Sequence, residues 1–306
     1  MASSSAHLAA SEMTRRRMTG DADDPLAAVQ LLGADPAQMA RAATAAVALG
    51  AKIVDINFGC PARVVCGKAC GSALMREPAL AGEIMRAVAH ALEGTGVPMT
   101  VKMRTGWDET SKNAVGLALL AEQAGAAAVT VHGRTRAQRF TGGVNRADIA
   151  AVVRAVSIPV IANGDIDSPA AALAMIRETG AAGIMIGRAA RGNPWLIARA
   201  RAVLAGRDDP GEPDARERLV VVRRHLAQHM AYWMAQGREE RHAAASFRAH
   251  LRAYLQPVLA QAARDGCGEQ RLERAAQILA RLVRDETQAA AGEDLEQFFC
   301  ALGRTN

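Results

Sequence analysis

Aromatic residues are scarce in this chain, at 3% of 306, so its core must be built from Ala, Val, Leu, Ile and Met. No stretch approaches the ~20 consecutive apolar residues that cross a bilayer, so no membrane span is expected. The opening residues, Met1-Ala2-Ser3-Ser4-Ser5, supply neither the basic region nor the apolar run of a secretory signal. The five cysteines show no disulfide-framework spacing, which fits reduced thiols in a cytoplasm. Lysine occurs only at 52, 68, 102 and 112, so arginine carries nearly all the positive charge. No G-x-G-x-x-G turn follows the first strand-like run, which disfavours a doubly wound dinucleotide-binding sheet.

Half of the residues are hydrophobic, and the length suffices for one large domain plus a smaller one. The formal charge of +6 permits a polyanionic partner, although an Arg- and Ala-rich composition explains it equally well. Short apolar runs predict strands at Val29–Gly33, Ile53–Asn57, Met99–Met103, Ala128–His132, Ile158–Ala162 and Gly183–Gly187, with a further short one at Leu8–Ser11. Between them, amphipathic patterns predict helices beginning at Asp35-Pro36 and running to Ala48, then at Pro78–Leu92, Lys112–Ala124, Arg146–Val156 and Pro169–Thr179. Polar residues collect at the strand ends: Gln30, Asn57 with Cys60, Lys102 with Arg104, His132 with Arg134, Asn163 with Asp165, and Gly187 with Arg188. One rim loaded by successive parallel strands is the layout of a (β/α)8, TIM-type barrel. Beyond Trp195 the alternation stops. Residues 206–213 read as a charged, Gly- and Pro-bearing linker. Helical patterns then run over Ala215–Gln236, Glu239–Ala262 and Glu269–Ala289. The expected α/β organisation is a barrel over 1–205, a linker over 206–213 and a small all-α helical domain over 214–306.

The stretch Asp55-Ile56-Asn57-Phe58-Gly59-Cys60-Pro61 carries the chain out of a strand and into a turn that presents a thiol. Gly59 is expected to let the backbone turn sharply, and Pro61 to stiffen the exit. A thiol just past a strand's C-terminal end is where α/β enzymes place reactive groups, so Cys60 is a candidate catalytic residue. It can also be a small buried hydrophobe. Cys60-x5-Cys66-x3-Cys70 matches no common metal or cluster spacing and has no fourth ligand nearby, so no metal is expected. Lys102, inside a strand, needs either a structural ion partner or an anionic ligand group. His132 is either a donor to ligand or a satisfied structural histidine. Asn163-Gly164-Asp165 and Gly187-Arg188 end the last two strands, where barrels often bind phosphate.

Taken in order, several motifs resemble those of the tRNA-dihydrouridine synthases, particularly the bacterial B type. They are Ser11-Glu12-Met13, Val29-Gln30, the Asp55-to-Pro61 stretch, Gly71-Ser72-Ala73-Leu74-Met75, Val101-Lys102-Met103-Arg104-Thr105-Gly106-Trp107, Val131-His132-Gly133-Arg134-Thr135-Arg136, Ile161-Ala162-Asn163-Gly164-Asp165-Ile166 and Met185-Ile186-Gly187-Arg188-Ala189-Ala190. In the tail, Phe247-Arg248-Ala249-His250 through Tyr254 is a looser match. A cytoplasmic protein is expected from the thiols, and a monomer is favoured while oligomeric state stays open. The resemblance implies an NAD(P)H-dependent flavin oxidoreductase. It would use FMN, with NADPH as reductant, to reduce the C5–C6 double bond of selected tRNA uridines.

By the same resemblance Cys60 delivers a proton to C5, since thiols as a class hold their proton at neutral pH. Gln30, Lys102 and His132 would contact the flavin. Asn163, Gly164, Asp165, Gly187 and Arg188 would bind its phosphate, and Asn57, Arg134, Arg248 and His250 would contact the tRNA. The helical domain would grip the RNA while the target base is extruded. The family's opening Ala-Pro-Met-x-Gly-x-Thr-Asp strand has no counterpart, so the barrel is expected to lack its first βα unit through a truncated or misplaced start. Two alternatives remain: a truncated non-catalytic RNA-binding remnant, and a barrel flavoprotein acting on a free pyrimidine.

Overall fold

Strands of two to six residues alternate with helices along the first part of the chain and assemble into one parallel sheet. The computed structural model describes residues 2–3, 26–282 and 288–303. In chain order the first elements are β1 (Ala2–Ser3), β2 (Ala28–Leu32), α1 (Pro36–Ala48) and β3 (Ile53–Phe58). A four-residue helix, α2 (Arg63–Cys66), and a 3-10 turn at Gly71–Arg76 follow. Next come α3 (Pro78–Leu92), β4 (Met99–Arg104), α4 (Ala114–Gln123), β5 (Ala128–His132), α5 (Arg146–Ala155), β6 (Val160–Asn163), α6 (Pro169–Thr179) and β7 (Gly183–Met185). All neighbouring strands are parallel and lie in sequence order. Such a sheet with helical crossovers fits a TIM-type barrel. The strand expected at Leu8–Ser11 lies outside the described residues. The strand beside β2 is instead Ala2–Ser3, with Ala2 opposite Leu31 and Ser3 opposite Leu32.

Local chemistry explains where the helices start. Pro36 occupies the first turn of α1, and the Asp35 carboxylate accepts from the Gln38 backbone N–H at 2.7 Å. Asn145 caps α5 in the same way, accepting from Asp148 N–H at 3.0 Å.

The strands alternate with a period of two. Val54, Ile56 and Phe58 on β3, Val101 and Met103 on β4, and Val129 and Val131 on β5 are fully buried. Met39 and Ala43 of α1 and Ile84 and Met85 of α3 are buried equally completely. Excluding each such large side chain from water contributes roughly 1.5–3 kcal/mol. The opposite face is polar. Gln30 pairs in register with Asp55 and Asp55 with Thr100; Asn57 pairs with Lys102 and Lys102 with Thr130; Arg104 pairs with His132 and His132 with Asn163. The sheet therefore carries three rows of polar side chains across adjacent strands, on the side away from its apolar core.

A second compact unit comprises Asp167–Pro169 and Arg188–Asn306, and so begins ahead of the 206–213 stretch. It opens with a 3-10 turn, Arg188–Ala190, followed by α7 (Trp195–Leu204), α8 (Ala215–Ala235), α9 (Glu240–Arg264), α10 (Glu269–Leu282) and α11 (Gln288–Ala301). Leu219, Val222, Leu226 and Met230 of α8 form an apolar stripe at helical spacing, and Phe247, Leu251, Tyr254, Leu255 and Val258 do the same on α9. The tail pattern expected as a helix over Glu269–Ala289 is helical to Leu282 and again from Gln288, with 283–287 outside the described residues. The helix that begins at Gln288, α11, continues to Ala301 and buries Leu295, Phe298 and Phe299. The stretch 206–213 has no regular structure but is tied to its neighbours. Arg199 of α7 donates to Asp209 at 2.9 and 2.8 Å and pairs with Glu212, which also receives Arg218 of α8 at 2.6 Å.

Candidate active site

The turn after β3 is fixed by hydrogen bonds on both sides of Cys60. Upstream, Asn57 Oδ1 accepts from the backbone N–H of Gly59 at 3.0 Å and of Cys60 at 2.9 Å. Downstream, the Cys60 carbonyl accepts from the Ser72 hydroxyl at 2.8 Å, the Ser72 N–H at 3.2 Å and the Cys66 thiol at 3.5 Å. Gly59 was expected to make the sharp turn, but its φ is not positive. The constraint falls on Gly71, whose φ is +62° and where a Cβ would sit 2.8 Å from Val65 Cγ1 and 3.0 Å from the Cys60 carbonyl. Cys66 thus supports the Cys60 turn. Cys70 donates to the Lys68 carbonyl at 3.2 Å, and burial pushes its thiol pKa up. Among the described residues no group of three or more His, Cys, Asp or Glu side chains is arranged to hold a metal.

A chain of side-chain hydrogen bonds runs beneath this turn. Asn57 Nδ2 donates to Gln30 Oε1 at 2.7 Å, Gln30 Nε2 donates to Asp55 Oδ2 at 2.6 Å, and Thr100 Oγ1 donates to Asp55 Oδ1 at 2.7 Å. Burial raises the Asp55 pKa, opposed by the bonds from Gln30 and Thr100 and by the charge of Lys102. Lys102 is the counterpart: burial lowers its pKa, while Asp55 favours its charged form. Its Nζ donates to Asn163 Oδ1 at 3.3 Å, and Asn163 Nδ2 donates to the Met185 carbonyl at 2.7 Å. A 3.3 Å contact is long for a charged donor.

Arg104, 2% exposed, is held by backbone carbonyls: Nε donates to Gly59 at 2.8 Å, and Nη1 to Thr135 at 2.9 Å and Arg139 at 2.8 Å. Burial, together with the charge of Arg134, lowers its pKa to about 10, so it stays cationic near neutrality. Arg134 is also buried. It holds both oxygens of Asp165, through Nη1 at 2.8 Å and through Nη2, and donates to the carbonyls of Thr141 and Gly142. Its Nη1 also lies 3.5 Å from His132 Nε2. A guanidinium only donates, so where this contact is a hydrogen bond the ring nitrogen accepts and the His132 proton lies on Nδ1. Burial, then the charges of Arg104, Lys102 and Arg134, lower the His132 pKa to about 3, and the ring is neutral at pH 7.

Gly164, at φ +122°, comes so close to its neighbours that a Cβ would lie 2.7 Å from Val144 Cγ2 and 2.9 Å from His132 Cδ2. Gly187 is exposed with open space around it. Arg188 is exposed and begins the second unit.

The first unit therefore brings together Gln30, Asn57, Cys60, Lys102, His132, Arg134, Asn163, Gly164 and Asp165. Arg248 and His250 lie on α9 of the second unit. There the His250 ring stacks on Phe247 at 5.4 Å and meets the edge of His225 at 5.0 Å. His225 Nδ1 lies 3.1 Å from Tyr254 Oη, and His229 Nε2 lies 2.6 Å from Ser246 Oγ. Burial lowers the pKa of all three histidines. Sequence reasoning singled out neither His225 nor His229; their spacing of four on one helix was the available signal. It also passed over Asp55, Thr100 and Arg104 as site residues, although they alternate in period two with Asn57 and Lys102.

A parallel α/β sheet whose strand ends carry a thiol, a buried ammonium, a neutral imidazole and oriented amides defines an enzyme-like centre of TIM-barrel type. The sequence model described as dihydrouridine synthase (Dus) matches residues 1–284, and the chain belongs to that family, in its bacterial B type. It is 47% identical over 234 residues to tRNA-dihydrouridine synthase B of Pseudomonas aeruginosa, covering 76% of this chain and 69% of that protein. It is 46% identical over 231 residues to the Pseudomonas putida protein of the same name, covering 76% of this chain and 66% of that one. A probable tRNA-dihydrouridine synthase of Rhodobacter capsulatus is 45% identical over 205 residues, covering 67% and 62%. The chain thus spans about two thirds of the length of the curated relatives it matches.

Proposed function

We propose that this chain reduces the C5–C6 double bond of uridines in tRNA, with Cys60 as proton donor and a flavin mononucleotide, recharged by NADPH, as hydride source. Membership of the family supports tRNA uridine as substrate. The single observation that carries the local assignment is the anchoring of Cys60 on both sides of its backbone, with the buried Arg104 on the Gly59 carbonyl just before it.

The residues suit a flavin. Lys102 is a buried ammonium with three donor hydrogens and a long hydrogen bond to Asn163, and it suits an electron-rich edge such as the flavin N1–C2=O. His132 presents a neutral ring rather than a second charge. Asn163, Gly164 and Asp165 are held by Lys102 and Arg134 at the end of β6, the region where barrels bind phosphate. When bound, the flavin supplies hydride to C6 of the uracil. The chain's own residues do the rest. Cys60 holds a proton at Sγ and releases it to C5. Asn57 fixes the turn that aims the thiol. The positive charge of Lys102 and Arg104 opposes the negative charge that develops toward O4. Arg248 and His250 on the helical unit contact the RNA backbone.

Incubating the purified chain with FMN, NADPH and tRNA that lacks dihydrouridine tests the reading. Mass spectrometry of the digested tRNA is expected to show uridines that have gained two hydrogens. A chain that binds FMN and is reduced by NADPH but leaves the tRNA unchanged would overturn it.

A further inference from the structure

Asp55 belongs to none of the roles above, yet it ends a hydrogen-bond relay that starts at the Cys60 turn. We propose that Asp55 is a positioning residue for Cys60: its carboxylate sets the direction of two side-chain amides, Gln30 and then Asn57, so that an acceptor oxygen meets the backbone N–H groups of Gly59 and Cys60. The catalytic consequence rests on the reading of Cys60 as proton donor; the relay itself does not.

Donor and acceptor sense sets each link of the relay. A side-chain amide has one end that donates and one that accepts, and its orientation is fixed by what it faces. An ionised carboxylate only accepts. At 2.6 Å from Asp55 Oδ2, the Gln30 amide must therefore present its nitrogen, because two oxygens at that distance repel. Its oxygen then points toward Asn57, which must answer with Nδ2, at 2.7 Å. That leaves Asn57 Oδ1 toward the turn, where it accepts from Gly59 at 3.0 Å and Cys60 at 2.9 Å. If Asn57 is reversed, donor faces donor at the Cys60 N–H; if Gln30 alone is reversed, like groups meet at Asp55 and at Asn57. Thr100 holds the carboxylate's second oxygen at 2.7 Å. Burial raises the Asp55 pKa, and the bonds from Gln30 and Thr100 with the charge of Lys102 work against that to keep the ionised form on which the relay's sense rests. The pairing is built into the sheet, since Gln30 and Asp55 stand opposite each other in register on β2 and β3, and Asp55 and Thr100 on β3 and β4.

Asp55→Asn tests the relay by removing its sense of direction. Asn at 55 can place its oxygen toward Thr100 and its NH2 toward Gln30, which then turns over and reverses Asn57. Because the Thr100 hydroxyl also accepts, the native sense is populated beside the reversed one. Hydrogen exchange of the full chain, read on a peptide spanning residues 57–61, is expected to quicken at Gly59 and Cys60 by up to about tenfold, the factor of one ordinary hydrogen bond. Asp55→Asn combined with Gln30→Glu places the acceptor-only group one position along: Glu at 30 accepts from both neighbours, Asn57 returns to its native sense, and exchange slows again. Should Asp55→Asn fail to fold, Gln30→Ala cuts the relay from the other side and is expected to quicken exchange at the same two amides. Unchanged exchange in Gln30→Ala, or an Asp55→Asn variant whose quickened exchange is not slowed in the double variant, overturns the relay. If exchange behaves as expected while Cys60→Ala still forms dihydrouridine, the relay stands and the role of Cys60 falls.

Discussion

Arg104 Nε donates to the Gly59 carbonyl at 2.8 Å, so a buried cation on β4 holds the peptide immediately before Cys60. The same guanidinium reaches the carbonyls of Thr135 and Arg139 and thereby links the turn after β3 to the loop after β5. The planar guanidinium spreads its donors over separate nitrogens, Nε toward Gly59 and Nη1 toward Thr135 and Arg139; an ammonium carries all its donors on one nitrogen and cannot span them.

Arg104→Lys is accordingly expected to destabilise the sheet-bearing unit by about 2–4 kcal/mol, since buried carbonyls lose charged partners. Denaturant unfolding measures this directly. A loss below about 0.5 kcal/mol, the scale of an ordinary surface substitution, would contradict the role given to Arg104.

His132 predicts an acid sensitivity. Its folded pKa of about 3 lies below the ordinary 6.5, so below pH 6.5 the unfolded chain binds a proton that the folded chain refuses. The stabilisation from the neutral ring is present above 6.5 and is lost progressively as pH falls toward 3. His132→Gln is expected to flatten that part of the stability–pH curve. An identical acid slope in the variant would show that His132 is not the titrating group.

Two glycines in the proposed phosphate region should behave oppositely. Gly164→Ala forces a side chain onto φ +122° and against Val144 and His132, with an expected cost of about 1–3 kcal/mol. Gly187 has open space and no positive φ, and Gly187→Ala should change stability by less than about 0.5 kcal/mol. Thermal melts of the two variants side by side test the contrast.

Cys66 and Cys60 also separate cleanly. The Cys66 thiol makes a long contact to the Cys60 carbonyl, which Ser72 already holds through two donors. Cys66→Ala is therefore expected to leave tRNA reduction within about twofold of the parent, the remaining bonds being the stronger ones. Ser72→Ala should impair it more. The reverse ranking, read from initial rates, would mean that Cys66 does chemistry.

Residues at strand ends were legible in the sequence because parallel sheets place ligand groups there: Asn57, Cys60, Lys102, His132 and Asn163 all lie at or just beyond the ends of β3 to β6. The rows behind them were harder to see. Strands of a parallel sheet are expected to be apolar on both faces, so Asp55 and Thr100 read as tolerated polar residues rather than as one face of a polar lining. Arg104 looked like another rim charge, since nothing in its neighbours along the chain shows that its partners are carbonyls 31, 35 and 45 residues away. In the helical unit, α11 was missed because the expected helical pattern closed at Ala289, ahead of the buried Leu295, Phe298 and Phe299. His225 and His229 acquire meaning only when α9 brings His250 beside them.

The central claim, that Cys60 is the proton donor to tRNA uridine, is tested most directly by separating the two half-reactions in Cys60→Ala. NADPH should bleach the bound flavin at the parent rate. Mixing the reduced protein with dihydrouridine-free tRNA without oxygen should restore the flavin colour about 10²–10⁴-fold more slowly than in the parent, the range for losing a general acid. Parent-like recovery of the colour, with dihydrouridine formed in step, would contradict the account.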